Sequence, residues 1–315
     1  SITRKDRLFP MKKSIYAAAI LIFLLYILIF PQESVQAAAL GLTLWQEKML
    51  PTLLPFSILS YILIHSGILD SFARAVHRLL RPLFPISSAG VFPLTAGLLF
   101  GFPMGSKITA ELVSSGKMSH EEGQRLYCIC NNISPMFVSS FILSDCLKRP
   151  GLRLPTYLIL YAPPLALYMI KNRHRRFASP LEGSQKKPAS MNLQIIDAGI
   201  MNGFETLAKL GGYIVLFAIL AQMTLLIPLQ SPLFHCMLLG FTEITNGIAF
   251  TARQALPFEA AYPLMIAFTA FGGLSGLAQT SSMVKETGFS LLPYLKTKLL
   301  STALSFALAL LFVCH

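Results

Sequence analysis

Charge is what this sequence has least of. Only 13% of its 315 residues are charged, where a soluble domain carries about a quarter. Acids are the scarcer sign: 14 Asp and Glu stand against 26 Lys and Arg, for a net charge of +12. So little polar surface cannot cover an ordinary soluble globule of this length. The five cysteines, Cys128, Cys130, Cys146, Cys236 and Cys314, form no C-x-x-C pair, which argues against a zinc ribbon or a thiol redox site and predicts free, buried thiols. The six His are scattered, with no H-E-x-x-H. Walker A, G-x-S-x-G and G-x-G-x-x-G patterns are also missing. These absences exclude an ATP-driven pump, a serine hydrolase elbow and a dinucleotide fold on this chain. No enzyme, no cofactor and no metal is expected. Bases interleaved with aromatics, as a nucleic-acid surface needs, are absent, so nucleic acid is not an expected partner.

What the chain has instead is apolar length. Ser14–Phe30 runs without a charge, and Pro51–Ile64, Leu154–Ile170, Leu210–Leu229 and Leu291–Val313 follow, the last interrupted by Lys296 and Lys298. Such runs approach or reach the length that crosses a bilayer as a helix. They are continuous rather than alternating, which excludes a porin-type barrel. The expected fold is an all-α polytopic membrane protein, with the lipid bilayer as its first partner. The excess of bases fits positive-inside topology, because Lys and Arg gather at the ends of apolar runs.

Composition divides the chain. Residues 1–10 are polar and basic and read as an N-terminal extension, and 11–35 as a transmembrane anchor. A cleaved signal peptide is the alternative there, since Gln36-Ala37-Ala38-Ala39 is small enough to cut, but the apolar run is long for a signal core. Residues 36–170 form a first repeat, 171–190 (KNRHRRFASPLEGSQKKPAS) a basic cytoplasmic linker, and 191–315 a second repeat. The halves share an order of features. Gly41–Leu63 and Gly199–Leu220 each carry an aromatic and a Glu ahead of an apolar helix. Gly101-Phe-Pro then matches Gly240-Phe-Thr; Ser134 follows the first by 33 residues and Ser275 follows the second by 35. With the linker and the N-terminus both inside, matching helices run in opposite directions. That is the pattern of an inverted-topology repeat. Lys148, Arg149 and Arg153 would then lie outside, against the charge rule.

Between the long runs lie pieces too short or too broken to cross: Ala89–Phe100, Thr109–Ser115, Leu233–Leu239, Gly240–Gly247 and Ala267–Gln279. They predict re-entrant hairpins and discontinuous helices, which survive at membrane depth only against protein or a wet cavity. The breaks hold the candidate substrate-binding residues. In GFPMGSK, Gly101, Pro103 and Gly105 interrupt a helix. The new helix then offers N–H groups, the Ser106 hydroxyl and the Lys107 ammonium to an anion. Glu111, one turn on, faces Lys107. In NNISP, Asn131, Asn132 and Ser134 can bind substrate or cap the helix that Pro135 starts. Glu243 is a carboxylate in apolar sequence and so a functional candidate, with Thr245 and Asn246 beside it. In GGLSGLAQTSS, Ser275, Gln279, Thr280 and Ser281 make a polar group. Ser275, Gln279 and Ser282 share a face that either lines a path or joins helices.

GFPMGSKI, NNISP, GFTEITNG and GGLSGLAQTSS, in this order, resemble the YlbJ-type sporulation integral membrane proteins of the nucleoside-recognition, or Gate, group. That group is itself similar to concentrative nucleoside transporters. The resemblance covers roughly Gly41 to the C-terminus, with Phe102 where the group typically has Tyr. It implies a SpoVV-like role in endospore formation, carrying dipicolinate across the outer forespore membrane. The residues independently suggest a secondary transporter of a small organic anion. A nucleoside transporter is the alternative, and a non-transporting sporulation scaffold is one of another class. The coupling ion (H+ or Na+) and any homo-oligomer stay open.

Overall fold

The computed structural model describes residues 13–66, 76–78, 80, 84–175, 177, 193–228 and 231–314. The expected extension 1–10, the bases Lys12, Arg74 and Arg81, and most of the 171–190 linker lie outside the described residues. Every regular element among the described residues is a helix.

Each expected apolar run has its helix. Ser14–Phe30 becomes α1 (Lys13–Ile29), and α2 (Pro31–Leu44) turns away from it at a bend of 103°. Pro31 at the second helix's first position makes that sharp start possible, since a missing N–H is harmless there. A π-type turn, Trp45–Met49, leads into α3 (Leu50–Ser66). Leu154–Ile170 lies in α8 (Arg153–Asn172), and Leu291–Val313 in α14 (Leu291–Cys314). The fourth run is longer than expected. The amphipathic lead-in and the apolar stretch of the second half fuse into one 32-residue helix, α9 (Leu193–Thr224). Nothing breaks it, because its glycines serve packing rather than turning. Gly199 and Gly203 face Ile58, and Gly211 lies under the ring of Trp45, whose Nε1–H donates to the Leu207 carbonyl at 2.8 Å.

The short pieces resolve into broken helices. α4 (Val91–Leu99) and α5 (Met104–Ser114) fold back on one another around Gly101–Pro103. α6 (His120–Tyr127) begins on an N-cap, with the Glu122 N–H donating to Ser119 Oγ at 3.2 Å. After Cys128–Ser134 the chain resumes as α7 (Pro135–Cys146). In the second half, α10 (Pro232–Thr242) and α11 (Ile244–Arg253) make the other hairpin. Here Gly247 has no room for a Cβ, because the Gly240 backbone lies against it. Ala267–Gln279 is not a hairpin. It belongs to a 26-residue span, Phe258–Met283, interrupted at Gly272 and Gly273, which have φ of +86° and +69°. We label its parts α12 (Phe258–Phe271) and α13 (Gly273–Met283).

Among the described residues three helices are long and apolar enough to cross a membrane, α9, α12–α13 and α14, or four if the bent pair α1–α2 is counted as one. Their exposed faces carry large apolar side chains such as Leu21, Leu28, Leu216 and Leu311. Such faces suit hydrocarbon rather than water. Together with the long apolar helices, they place the chain in a bilayer.

One end of the bundle gathers Ile64, Lys117, Ser87, Glu122, Asn172, Thr287 and Ser290. Lys117 Nζ donates to the Ile64 carbonyl, the Ser87 N–H to Glu122 Oε1 at 2.7 Å, and Gln124 Nε2 to the Ser290 carbonyl at 3.1 Å. At the other end Arg149 stacks over Phe258, 4.3 Å from the ring centroid, and Thr156 Oγ1 and Tyr262 OH share a 2.9 Å hydrogen bond. The breaks lie between these ends.

Candidate functional site

The first break is built by fit between two loops. The carbonyl of Cys130 sits directly over Gly97 and Gly105, where any Cβ would collide with it. Gly101 has φ of +84°, and a Cβ there would meet the Ser134 N–H at 2.8 Å. The Phe102 N–H donates to the Asn132 carbonyl at 2.7 Å, and the Ser106 N–H to Asn131 Oδ1 at 3.2 Å. Asn131 Nδ2 and Asn132 Nδ2 in turn donate to the Tyr127 and Ile129 carbonyls at 3.0 and 2.8 Å. The sequence predicts N–H groups at this break that are open to an anion. Instead, the NNISP loop takes up two of them. Polar backbone in an apolar setting must be satisfied somewhere, and this loop is the near source of acceptors. Ser134 caps α7 by accepting from the Phe137 N–H at 3.3 Å.

Lys107 is buried, but it points to α3. Its ammonium donates to Ser57 Oγ and lies 3.6 Å from Glu111 Oε1. The expected i,i+4 pair is therefore formed, and it is largely withdrawn from solvent. Ser106 Oγ, one residue earlier, is buried without a hydrogen-bond partner.

In the second half, Glu243 occupies the break between α10 and α11. Its Oε2 accepts from the Asn246 N–H at 2.8 Å, so it is the N-cap of α11. Gln279 Nε2 donates to Ser275 Oγ at 2.9 Å, while Gln279 Oε1 is buried without a partner. Thr280 is buried beside them; Ser281 and Ser282 are half-buried. The helix that starts at Gly273 has no side-chain cap.

The structure brings part of this set together. A cavity of about 30 Å³ is lined by Phe102, Ile133 and Phe137 from the first half and by Glu243, Ile244, Thr245, Ser275 and Gln279 from the second. The Phe102 ring lies against Gly276, where a Cβ would meet it at 3.1 Å. Lys107 is not among the cavity's lining residues. A space this small holds one or two waters. A substrate of ten heavy atoms does not fit this arrangement.

Sequence reasoning treated Lys298 only as a base at the start of a span. It is buried at 7% exposure inside α14, and its ammonium donates to the Asn131 carbonyl and, at 3.3 Å, to that of Ala270. It thus joins the NNISP loop to the end of α12, just before the Gly272 break. No carboxylate of the described residues lies within ion-pair distance of it. The available signal was a Lys inside a run of apolar residues at membrane depth.

Broken helices meeting around a small, largely apolar cavity with a few polar groups define a class, that of polytopic helical membrane proteins with discontinuous helices. The comparisons agree with it. Residues 47–144 match the family model described as Gate, nucleoside recognition. The chain is 26% identical over 309 residues, 86% of its own length and 75% of the relative's, to Sporulation integral membrane protein YlbJ of Bacillus subtilis (strain 168). The resemblance read from the four motifs is therefore present along most of the chain. No solved structure matches.

Proposed function

We propose that the chain is a secondary transporter of a small organic anion, dipicolinate first, acting in endospore formation at the outer forespore membrane. The observation that carries the anionic reading is Lys298. A buried ammonium without a counter-charge costs several kcal/mol, even when carbonyls accept its protons. An anionic substrate at the two breaks would supply that charge. The partnerless Ser106 Oγ and Gln279 Oε1 are polar groups that a bound solute could satisfy.

Alternating access follows from an inverted repeat, which we infer from element order. In the first half, α3 is followed by the α4–α5 hairpin, the broken span α6–α7 and α8. In the second, α9 is followed by the α10–α11 hairpin, the broken span α12–α13 and α14. The first hairpin approaches the breaks from the end that holds Ser87 and Lys117, and the second from the end that holds Arg253. Taking the Lys171 end as cytoplasmic, each first-half element runs opposite to its counterpart. A cytoplasmic Lys171 end is itself part of the proposal.

A nucleoside transporter is the second reading. The family description favours it, and so do the neutral groups of Ser275 and Gln279 beside the Glu243 carboxylate. Uptake of labelled dipicolinate, nucleosides and dicarboxylates into proteoliposomes decides between them. Accumulation of dipicolinate over nucleosides is expected. Saturable nucleoside uptake without dipicolinate uptake would replace the first reading with the second, and no uptake of any solute would remove both.

A further inference from the structure

We infer that a second, larger cavity, at the confluence of α6, α8 and α14, is an anion vestibule through which the solute reaches the breaks. It measures about 560 Å³, within the size range of sites that take small molecules. Arg125, Lys171 and Lys296 line it, with Gln124, Thr297 and Tyr168. One acid, Glu121, shares the wall, and its Oε1 is already held by Arg125 Nη2 at 3.2 Å and by Arg175. Arg125 Nε is buried and has no hydrogen-bond partner. Lys171 Nζ reaches only Thr297 Oγ1, at 3.4 Å. Three cations against one engaged carboxylate leave a positive potential focused by low-dielectric walls. Such clefts raise local anion concentration and on-rates by roughly 10- to 1,000-fold.

The vestibule's wall continues along the chain into the first break. Wall residues Cys128 and Ile129 run directly into Cys130–Asn131, the backbone laid over the first break. Thr297, another wall residue, precedes Lys298, which donates to the Asn131 carbonyl. On the proposed route the buried ammonium of Lys298, one residue past that wall, is the next cation. Tyr168, Leu167 and Pro293 add an apolar side. The ligand class is a small carboxylate or phosphate anion with an apolar or planar body. A lipid headgroup shares that chemistry.

This inference rests on the anion-transport reading, but its test reads the vestibule directly. Leu292 lines the cavity and is 46% exposed. Full-length Leu292→Cys, in a Cys146→Ser/Cys314→Ser background in neutral-lipid nanodiscs, is labelled with anionic sulfonate and cationic trimethylammonium methanethiosulfonates. The background alone gives the blank. At low salt, and relative to a free thiol, the anionic reagent should react at least about 10-fold faster. Parity should return at 1 M salt, where the screening length is about 3 Å, and in Lys171→Gln/Lys296→Gln. Millimolar dipicolinate should slow labelling. Equal rates for the two reagents, a preference untouched by the double substitution, or no protection by dipicolinate would each overturn the vestibule. Protection by anionic phospholipid but not by dipicolinate would assign the cavity to a headgroup and overturn its role in solute access. Protection without uptake in the proteoliposome assay would leave the vestibule standing and count against the transport reading alone.

Discussion

Replacing Lys107 by Met separates two roles that the sequence cannot separate. Its ammonium and Glu111 Oε1 are 3.6 Å apart, with side-chain exposures of 7% and 16%. Two unit charges at that distance attract by roughly 5 kcal/mol at an effective dielectric near 20. Removing one partner leaves the other charge buried and alone, which typically destabilises by about 3–5 kcal/mol. At about 2–4 °C per kcal/mol for a chain of this order of size, Lys107→Met should lower the apparent Tm in nanodiscs by on the order of 10 °C. Removing both charges, as Lys107→Met/Glu111→Leu, should bring the Tm back to within a few degrees of wild type, because an apolar pair of similar volume is often neutral or better. If the pair is structural, uptake returns with stability in the double variant. If Lys107 is the substrate anchor, stability returns and uptake does not. A Lys107→Met single variant as stable as wild type would refute the reasoning altogether, since a buried, unpaired Glu111 could not then be so easily tolerated.

The remaining predictions concern the breaks. Gly105→Ala forces a methyl into the Cys130 carbonyl and should destabilise by about 1–3 kcal/mol, read as a lowered Tm. Gly212→Ala, which has open space, should change little; equal Tm values for both would show that the loop over the break yields freely. Glu243→Gln keeps an oxygen to accept from the Asn246 N–H, so its Tm should match wild type while uptake is lost, and full uptake would remove the carboxylate from the mechanism. Lys298→Met trades two hydrogen bonds from a charged group, about 1.5–3 kcal/mol each, against the several kcal/mol that burial of the charge costs. Its Tm should therefore move little, and dipicolinate binding by calorimetry should fall at least about 10-fold; unchanged affinity would end the anionic argument.

Much of the architecture was legible because bilayer length and glycine chemistry leave direct marks. Unbroken apolar runs gave α1, α3, α8 and α14 to within a few residues. Gly101, Pro103 and Gly272 marked breaks because a proline or a positive φ stops a helix locally, whatever surrounds it. The Gly199–Leu220 segment was harder. It read as an amphipathic lead-in and a separate apolar run, yet Gly199, Gly203 and Gly211 are flat places where α3 and Trp45 lie, and one-dimensional spacing does not show that such glycines continue a helix. The direction of a buried charge was least legible. Lys107 and Lys298 both sit in apolar sequence. That one turns to Ser57 and Glu111, and the other to two carbonyls with no acid, is decided by neighbours 50 and 167 residues away.

The contrast between the two cavities bears on what must move. The space at the breaks is about 30 Å³, and the proposed vestibule is about 560 Å³. A solute collected in the vestibule can reach Glu243, Ser275 and Gln279 only if something between them shifts. Phe102 is the side chain best placed to do so. It lies in the loop between two short helices, and its ring rests on Gly272 and Gly276 of the opposite half, at 3.7 and 3.1 Å from where their Cβ atoms would be. Its backbone is fixed by the Asn132 carbonyl, so a rotation of the ring about χ1 would leave the shape of the break unchanged. The glycines leave a smooth groove with no side chain to lock it in place. Within the proposed transport cycle, this ring against that groove is the seam between the halves, and Lys298, which donates to both the Asn131 and Ala270 carbonyls, bridges them beside it.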